Sequence, residues 1–502
     1  MRPKIKKITL CIGALILALS SFSCQAVEEA GTGKLVYLRV EKVVASSFDE
    51  SPDWAPRPDA MAVVDGNMET RWSSGYTEGE WIYLDLGKPK TISRLVIKWE
   101  QAYATDFDIL TSDDAARWKN LFSLKSQNPD WGISMWEIEP YGPEAQNPGE
   151  LPKEEIFKSS EEKAELENKR KELLKKIEGQ IVASPGPIKQ EEFQKGVNYT
   201  SWRSDELAGD LSDYSLIYLS QLGVKHIALM AVWYQADAAS KKIYTDPEKT
   251  TNDESLGHAI NMMHALGMKV MLKPHVDLAD EEARTNIIPS AAWFSSYKEF
   301  ILHYARFAAK YNAELLCIGT ELSNTSIARW RAQWLDIIAA IRAVYKGKIT
   351  YAANWDEYDT VSFWPEVDFI GMDAYFPLTD KTNPTKEEVI QGWGKNADVI
   401  EAWLKANNLS KSVIFTEVGY DTIEGSNKQP WRVLPTMAKY KEDQDEQANC
   451  LEALFLALSK RPWFKGFYWW NYFPRPDIGP LGYTLRGKKG EKILSEWFKT
   501  LK

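Results

Sequence analysis

From about residue 193 onward, short apolar runs alternate with longer stretches of helical period. The runs fall at 196–199, 226–232, 269–273, 315–319, 349–353, 369–372, 413–416 and 466–470. Helical stretches lie between them, for example at 254–266, 297–311, 327–344 and 445–459. A strand that is apolar along its whole length, and not at every second position, reads as buried on both faces of a parallel sheet. Eight such strands interleaved with helices over roughly 300 residues predict a (β/α)8 barrel across 193–502. A doubly wound sheet is the competing arrangement, but no glycine-rich fingerprint follows the first strand.

The pattern is different upstream. Residues 34–142 alternate with period two, as in Trp81-Ile82-Tyr83-Leu84-Asp85-Leu86 and Leu95-Val96-Ile97-Lys98-Trp99, with Gly, Asp and Pro in the gaps. This predicts an antiparallel β-sandwich. Segment 143–190 opens on Pro143, Pro148 and Pro152 and closes on Pro185 and Pro187. Its charged helical run, 154–178, reads as a solvated linker helix or a docking element. Residues 1–24 read as an export leader: Arg2, Lys4, Lys6 and Lys7, then an apolar stretch at 8–19 too short to span a bilayer comfortably. Ser21-Phe22-Ser23-Cys24 follows and resembles a bacterial lipobox, in which Cys24 would carry lipid. The expectation is an exported lipoprotein at the outer membrane or cell surface, and otherwise a secreted or periplasmic protein.

Two of the apolar runs stop at a lone glutamate. Leu315-Leu316-Cys317-Ile318 leads through Gly319-Thr320 to Glu321, and Val413-Ile414-Phe415 leads through Thr416 to Glu417. In a barrel these are the C-terminal ends of strands four and seven, facing each other across the mouth where active sites form. Paired carboxylates there point to glycoside hydrolysis. A spacing of about 5–5.5 Å would give retention and about 6.5–9.5 Å inversion, a choice that spacing along the chain leaves open. Either glutamate alone would read as a buried or surface ion-pair partner.

Composition narrows the partner. The 502 residues carry a net charge of −10, against the clustered basic surface that nucleic acid requires. The 21 Trp and 22 Tyr suit sugar stacking as well as core packing. Polar and aromatic groups cluster at the predicted strand ends. Asn198 and Trp202 lie at or just past strand one, Trp233 at strand two, His275 at strand three, Thr320 at strand four and Asn354 at strand five. Tyr375 follows strand six, and Trp469, Trp470 and Asn471 end strand eight. All are candidates for substrate binding, and each also has a plain reading as rim packing. The five histidines show no metal-ligand spacing. Cys317, within an apolar run, reads as a small core thiol.

The motifs Lys195-Gly196-Val197-Asn198-Tyr199, Lys273-Pro274-His275-Val276-Asp277, Gly319-Thr320-Glu321-Leu322, Thr416-Glu417-Val418-Gly419-Tyr420 and Phe467-Tyr468-Trp469-Trp470-Asn471 resemble glycoside hydrolase family 113. These are clan A barrels with endo-β-1,4-mannanase members. The resemblance implies Glu321 as acid/base, Glu417 as nucleophile, a tyrosine after strand six supporting that nucleophile, and no cofactor for catalysis. It implies cleavage of β-1,4-mannosidic bonds in mannan-type polysaccharides or oligosaccharides. Another β-glycan, or a surface glycan-binding lipoprotein without activity, are the alternatives. Most of the clan has Asn before the acid/base, where this chain has Thr320. Upstream, Ala62-Val63-Val64-Asp65-Gly66-Asn67-Met68-Glu69-Thr70-Arg71-Trp72-Ser73 and Trp81 through Gly87 resemble a discoidin-like, coagulation-factor type C domain of carbohydrate-binding module family 32. That resemblance implies a jelly-roll sandwich with a structural Ca²⁺ held by Asp65, Asn67, Thr70 and Glu137, oxygen ligands suited to this ion. Trp54, Tyr76 and Tyr103 are its candidate stacking rings.

Overall fold

The computed structural model describes residues 160–432, 441–475 and 481–501 without interruption, together with the strands and turns given below between residues 8 and 143. The chain divides into two compact units.

The N-terminal unit is a two-sheet β-sandwich. One sheet orders the strands Lys42–Ala45, Glu80–Asp85, Ile8–Gly13, Asp106–Ser112 and Lys119–Lys125. In the other, Leu35–Tyr37, Trp72–Ser73 and Arg94–Trp99 all pair with Ser134–Pro143. The period-two reading holds: along Glu80–Asp85 the residues Glu80, Ile82 and Leu84 are buried, while Trp81 is exposed. Ile82, Leu84, Val63, Trp72 and Ile138 form the core between the sheets. Ile8–Gly13 lies within the segment read as an export leader. It runs parallel to both neighbours, where the other pairings of its sheet are antiparallel. A chain cleaved before Cys24 would lack this strand. Cys24 and the rings Trp54, Tyr76 and Tyr103 lie outside the described residues.

The C-terminal unit is a closed barrel of eight parallel strands: β1 (Gln194–Tyr199), β2 (His226–Gln235), β3 (Lys269–Leu278), β4 (Leu315–Thr320), β5 (Lys348–Asn354), β6 (Phe369–Asp373), β7 (Val413–Val418) and β8 (Phe464–Tyr472). It closes by pairing of β1 with β8, Gln194 opposite Gly466. The continuous apolar runs follow from burial on both faces. In β4 all six residues are buried: Leu315 and Cys317 face the barrel interior, while Leu316 and Ile318 pack under the surrounding helices. Cys317 is a buried free thiol, as its run implies. The helix Lys386–Ala406 begins at a Thr385–Glu388 capping box. No helix among the described residues is long and apolar enough to cross a membrane.

The charged run upstream of the barrel forms α1 (Ser160–Ile177). Only one of its faces is solvated. Leu166, Leu173 and Ile177 are buried in the barrel unit's core. Arg170 pairs with Asp210 and, at 2.9 Å, with Asp213, and Tyr214 donates to Glu167. The reason is a narrow apolar stripe at spacings of seven and four, which a high charge density obscures.

Candidate active site

The C-terminal ends of the barrel strands bring both glutamates to one mouth. Gly319 lets β4 end close against its neighbours, since a Cβ there would lie 2.8 Å from the Tyr351 ring and 3.0 Å from the Tyr297 hydroxyl. Two residues later Glu321 has φ +50°, a left-handed backbone uncommon for a residue with a Cβ. Its N–H donates to the Ala352 carbonyl at 2.9 Å, and the Leu322 N–H donates to the Tyr351 hydroxyl oxygen at 3.0 Å. Strained backbone of this kind persists where the surroundings over-determine it, and it concentrates at functional positions.

The Glu321 side chain retains 21% exposure, and Arg284 Nη1 lies 3.5 Å from its Oε2. The same guanidinium donates to Asp277 at 2.5 Å. Burial and then the negative charge of Glu417 push the Glu321 carboxyl up, with Arg284 and Lys273 opposing them. Glu417 is more deeply set. Tyr375 donates to its Oε2 at 2.7 Å, and Lys273 Nζ contacts Oε1. Ala374 N–H bonds the Glu417 carbonyl at 2.7 Å, fixing the end of β6 against β7. Lys273 is fully buried and also lies 3.5 Å from Asp373, whose Oδ1 accepts from Thr416 at 2.8 Å. Burial lowers the Lys273 ammonium's proton affinity, but Asp373 and Glu417 together hold it above the usual lysine value. Burial, then Glu417, pushes the Asp373 carboxyl well up.

His275 is buried 3.9 Å from Glu417 Oε1, and neither ring nitrogen has a hydrogen-bond partner. Burial, reinforced by Arg284 and Lys273, holds it well below the usual histidine range, as a neutral imidazole. Its ring lies parallel to Trp470, interplanar angle 7° and centroids 6.4 Å apart. Beside Glu321, burial lifts Glu357 to about 7, with the negative charge of Glu321 adding to the rise.

The strand-end candidates separate by the alternation of side chains. His275, Tyr375 and Trp470 join the glutamates at the mouth. Trp202, 38% exposed, stands at its edge and donates to Asp277 at 3.3 Å. Asn354 sits at the end of β5, its oxygen accepting from the Trp355 N–H at 2.9 Å. Three positions call for correction. Trp233 points outward from β2 and packs against Phe300, His303 and Tyr304 of the helix Ala291–Tyr311. Trp469 is fully buried, packs against Tyr420 and donates to the Tyr483 carbonyl, because its strand neighbour Trp470 takes the inward side. Asn198 is buried and ties the barrel together, donating to the Thr416 and Tyr468 carbonyls at 3.1 Å. Thr320 is buried with its hydroxyl 3.8 Å from the Cys317 sulfur, and Asn471 is buried and donates to Thr200 at 2.9 Å.

Lys273 and Arg284 were not among the sequence candidates, whereas Asp373 stands at the end of strand six beside Tyr375. Lys273 did leave a signal, a lone charge inside Val270-Met271-Leu272-Lys273. Arg284 left none, because a 3-10 turn at Arg284–Asn286 folds it back over the mouth. At the rim, the exposed Trp431 stacks on Trp355 at 4.7 Å. Among the described residues no group of three or more His, Cys, Asp or Glu could hold a metal ion. Of the calcium ligands implied by resemblance, Asp65 lies in a bend, while Asn67, Thr70 and the side chain of Glu137 fall outside the described residues.

The family model of Glycoside Hydrolase Family 113 matches residues 198–475, and that of the F5/8 type C domain matches 42–140. Among solved structures, the GH113 β-mannanase AaManA from Alicyclobacillus acidocaldarius is similar over 62% of this chain and 98% of its own, at 27% identity and TM-score 0.56. A second GH113 β-1,4-mannanase, at 24% identity and TM-score 0.55, shares the fold over 62% of this chain and 99% of its own. Among curated proteins, a Polysaccharide lyase 8 family protein, HylA, from Enterococcus faecalis (strain ATCC 700802 / V583) is 30% identical over 133 residues, 26% of this chain. The chain spans only 9% of that relative's length.

Proposed function

This chain belongs to glycoside hydrolase family 113, and on that premise we propose that it hydrolyses β-1,4-mannosidic bonds in mannan-type polysaccharides or oligosaccharides with retention, using Glu321 as acid/base and Glu417 as nucleophile. The observation that carries the proposal is the division of environments between the two carboxylates. Burial and the opposing charge favour a proton on Glu321, whereas Glu417 is met by two donors, Lys273 and Tyr375. A carboxyl that burial and a neighbouring negative charge keep protonated suits the acid, and a carboxylate held by two donors suits the nucleophile.

In the first half-reaction a Glu417 oxygen bonds the anomeric carbon. The glycosidic C–O bond breaks, and the Glu321 proton goes to the departing oxygen. In the second, Glu321 takes a proton from water as the water oxygen displaces Glu417. The unpartnered nitrogens of neutral His275 would bind a sugar hydroxyl beside the nucleophile, with the Trp470 ring flanking the same subsite and Trp202 at the cleft edge. The choice of mannose is supported by the family and by the activity named for its solved members. Export with a lipid at Cys24, and glycan or calcium binding by the sandwich, belong to the same proposal. No catalytic step involves the calcium.

The test uses mannohexaose, cellohexaose and xylohexaose, with product lengths and initial anomeric configuration followed by NMR. Retained products from mannohexaose are expected, and Glu417→Ala should lose turnover by orders of magnitude while still binding substrate. Cleavage of cellohexaose alone would overturn the mannanase reading. Hydrolysis left intact in Glu417→Ala would overturn the assignment of the site.

A further inference from the structure

We infer that Lys273, backed by Asp373, is a positioning residue that sets both the ionisation and the aim of the Glu417 carboxylate. The inference rests on Glu417 being the nucleophile. Lys273 lies in the middle of β3, in a strand whose preceding residues are apolar, and its side chain has no access to solvent. A buried ammonium is costly unless it is paired with good geometry. Here the pairing is with two carboxylates from two other strands, Glu417 of β7 and Asp373 of β6. Structural pairing would need only one.

The second carboxylate has a chemical rationale. When Glu417 forms its ester with the sugar, its negative charge is lost and Lys273 keeps its proton. Asp373, 3.5 Å from Nζ, remains as the acceptor facing that cation, so the lysine is never left buried without a partner. Loss of charge at Glu417 also removes the strongest electrostatic opposition to ionisation of Asp373. Lys273 and Tyr375 occupy different oxygens of Glu417, so together they hold the carboxylate plane as well as its charge.

Every other charged or titratable group facing Glu417 does something different. Glu321 and Asp373 are themselves acids. Tyr375 and Tyr483 are neutral phenols held far above their usual titration range, first by burial. His275 is neutral at 3.9 Å. Arg284 is engaged by Asp277 and Glu321. Beyond its two carboxylates Lys273 also faces Glu321, the neutral His275 and the Cys317 thiol, which burial pushes up to about 11. Among the described residues, Lys273 is therefore the cation in direct contact with Glu417.

The experiment is the pH profile of kcat/KM for the full chain and for Lys273→Met. The substrate is a dinitrophenyl β-glycoside of the sugar that the wild type cleaves, whose leaving group needs no proton. An opposite charge at this range depresses a carboxylate by about one to three pH units, so the acidic limb should move up by about one unit or more in Lys273→Met, with activity below the limb falling about ten-fold or more. Lys273→Arg should restore the wild-type limb. Lys273→Met/Asp373→Asn removes the pair together, a change that buried pairs tolerate better than loss of one half, and its limb should also be raised. Thermal melting confirms that each variant folds. An acidic limb at the wild-type position in a folded Met variant overturns the inference. If Glu417→Ala is inactive at the same time, only the role of Lys273 has failed. If Glu417→Ala is active, the functional reading has failed first.

Discussion

Replacing Arg284 with Met should move the alkaline limb of the pH–activity profile upward. The guanidinium sits 3.5 Å from Glu321 Oε2, where a full unit charge would be worth about 5 kcal/mol at an effective dielectric of 20 and about 1 kcal/mol in water. Both side chains keep roughly a fifth of their surface, 19% and 21%, and Asp277 shares the same cation at 2.5 Å. Solvent screening and the shared partner bring the net effect down to about 1.5 kcal/mol, or about one pH unit. The sign follows from the charge: Arg284 favours the ionised Glu321, so its removal lets the acid keep its proton to higher pH. Asp277, left without its partner, adds negative potential in the same direction. The assay is kcat/KM between about pH 4 and pH 9 on an unactivated oligosaccharide, whose leaving group depends on the acid. A dinitrophenyl glycoside serves as the control, because its first half-reaction does not require that proton. An alkaline limb that stays in place or moves down would refute the electrostatic argument. A shift of equal size with the activated substrate would show that some group other than the acid was being read.

Two further predictions concern the scaffold. Gly466 has φ +116° and a Cβ there would meet the Gln194 carbonyl at 2.2 Å, at the seam where β8 closes on β1; Gly466→Ala should cost about 3 kcal/mol or more in urea unfolding, whereas Gly267→Ala, at φ +73° with nothing within 4 Å, should cost only about 1 kcal/mol. Leu173→Ala on α1 should destabilise the barrel unit by about 2–4 kcal/mol in the same assay, while Lys171→Ala on the exposed face should stay within about 0.5 kcal/mol; equal, small effects would mean that the helix is a solvated linker after all.

Much of the site was legible along the chain, because a strand end is a local property. Glu321 and Glu417 each terminate an apolar run, and the order of runs places them after β4 and β7. Tyr375 is legible for the same reason, falling two residues past β6. What was not legible depends on side-chain direction and on returning loops. Trp469 and Trp470 are equivalent as letters, and only the register of β8 in the closed barrel turns one into the core and the other toward His275. Trp233 was misplaced because one residue of offset along β2 exchanges the mouth for the helix layer. The charged run over α1 left a solvated linker and a docking element both open because its apolar positions are few, and the burial of Leu166, Leu173 and Ile177 decides for docking.

The pattern of the sequence by itself determined a period-two sandwich followed by an eight-strand barrel, and it placed two carboxylates at one end of that barrel. These follow from short-range physics: which residues alternate, which runs are apolar throughout, and where they stop. Only the tertiary structure decided what surrounds the carboxylates. Lys273 comes from β3, Asp373 from β6 and Arg284 from a 3-10 turn, and none is near Glu321 or Glu417 in sequence. Electrostatic environment depends on distance through space and on burial, and neither exists until the barrel closes. The difference in environment on which the proposed roles of Glu321 and Glu417 rest is therefore absent from the two glutamates as residues and arises from the groups the fold brings around them.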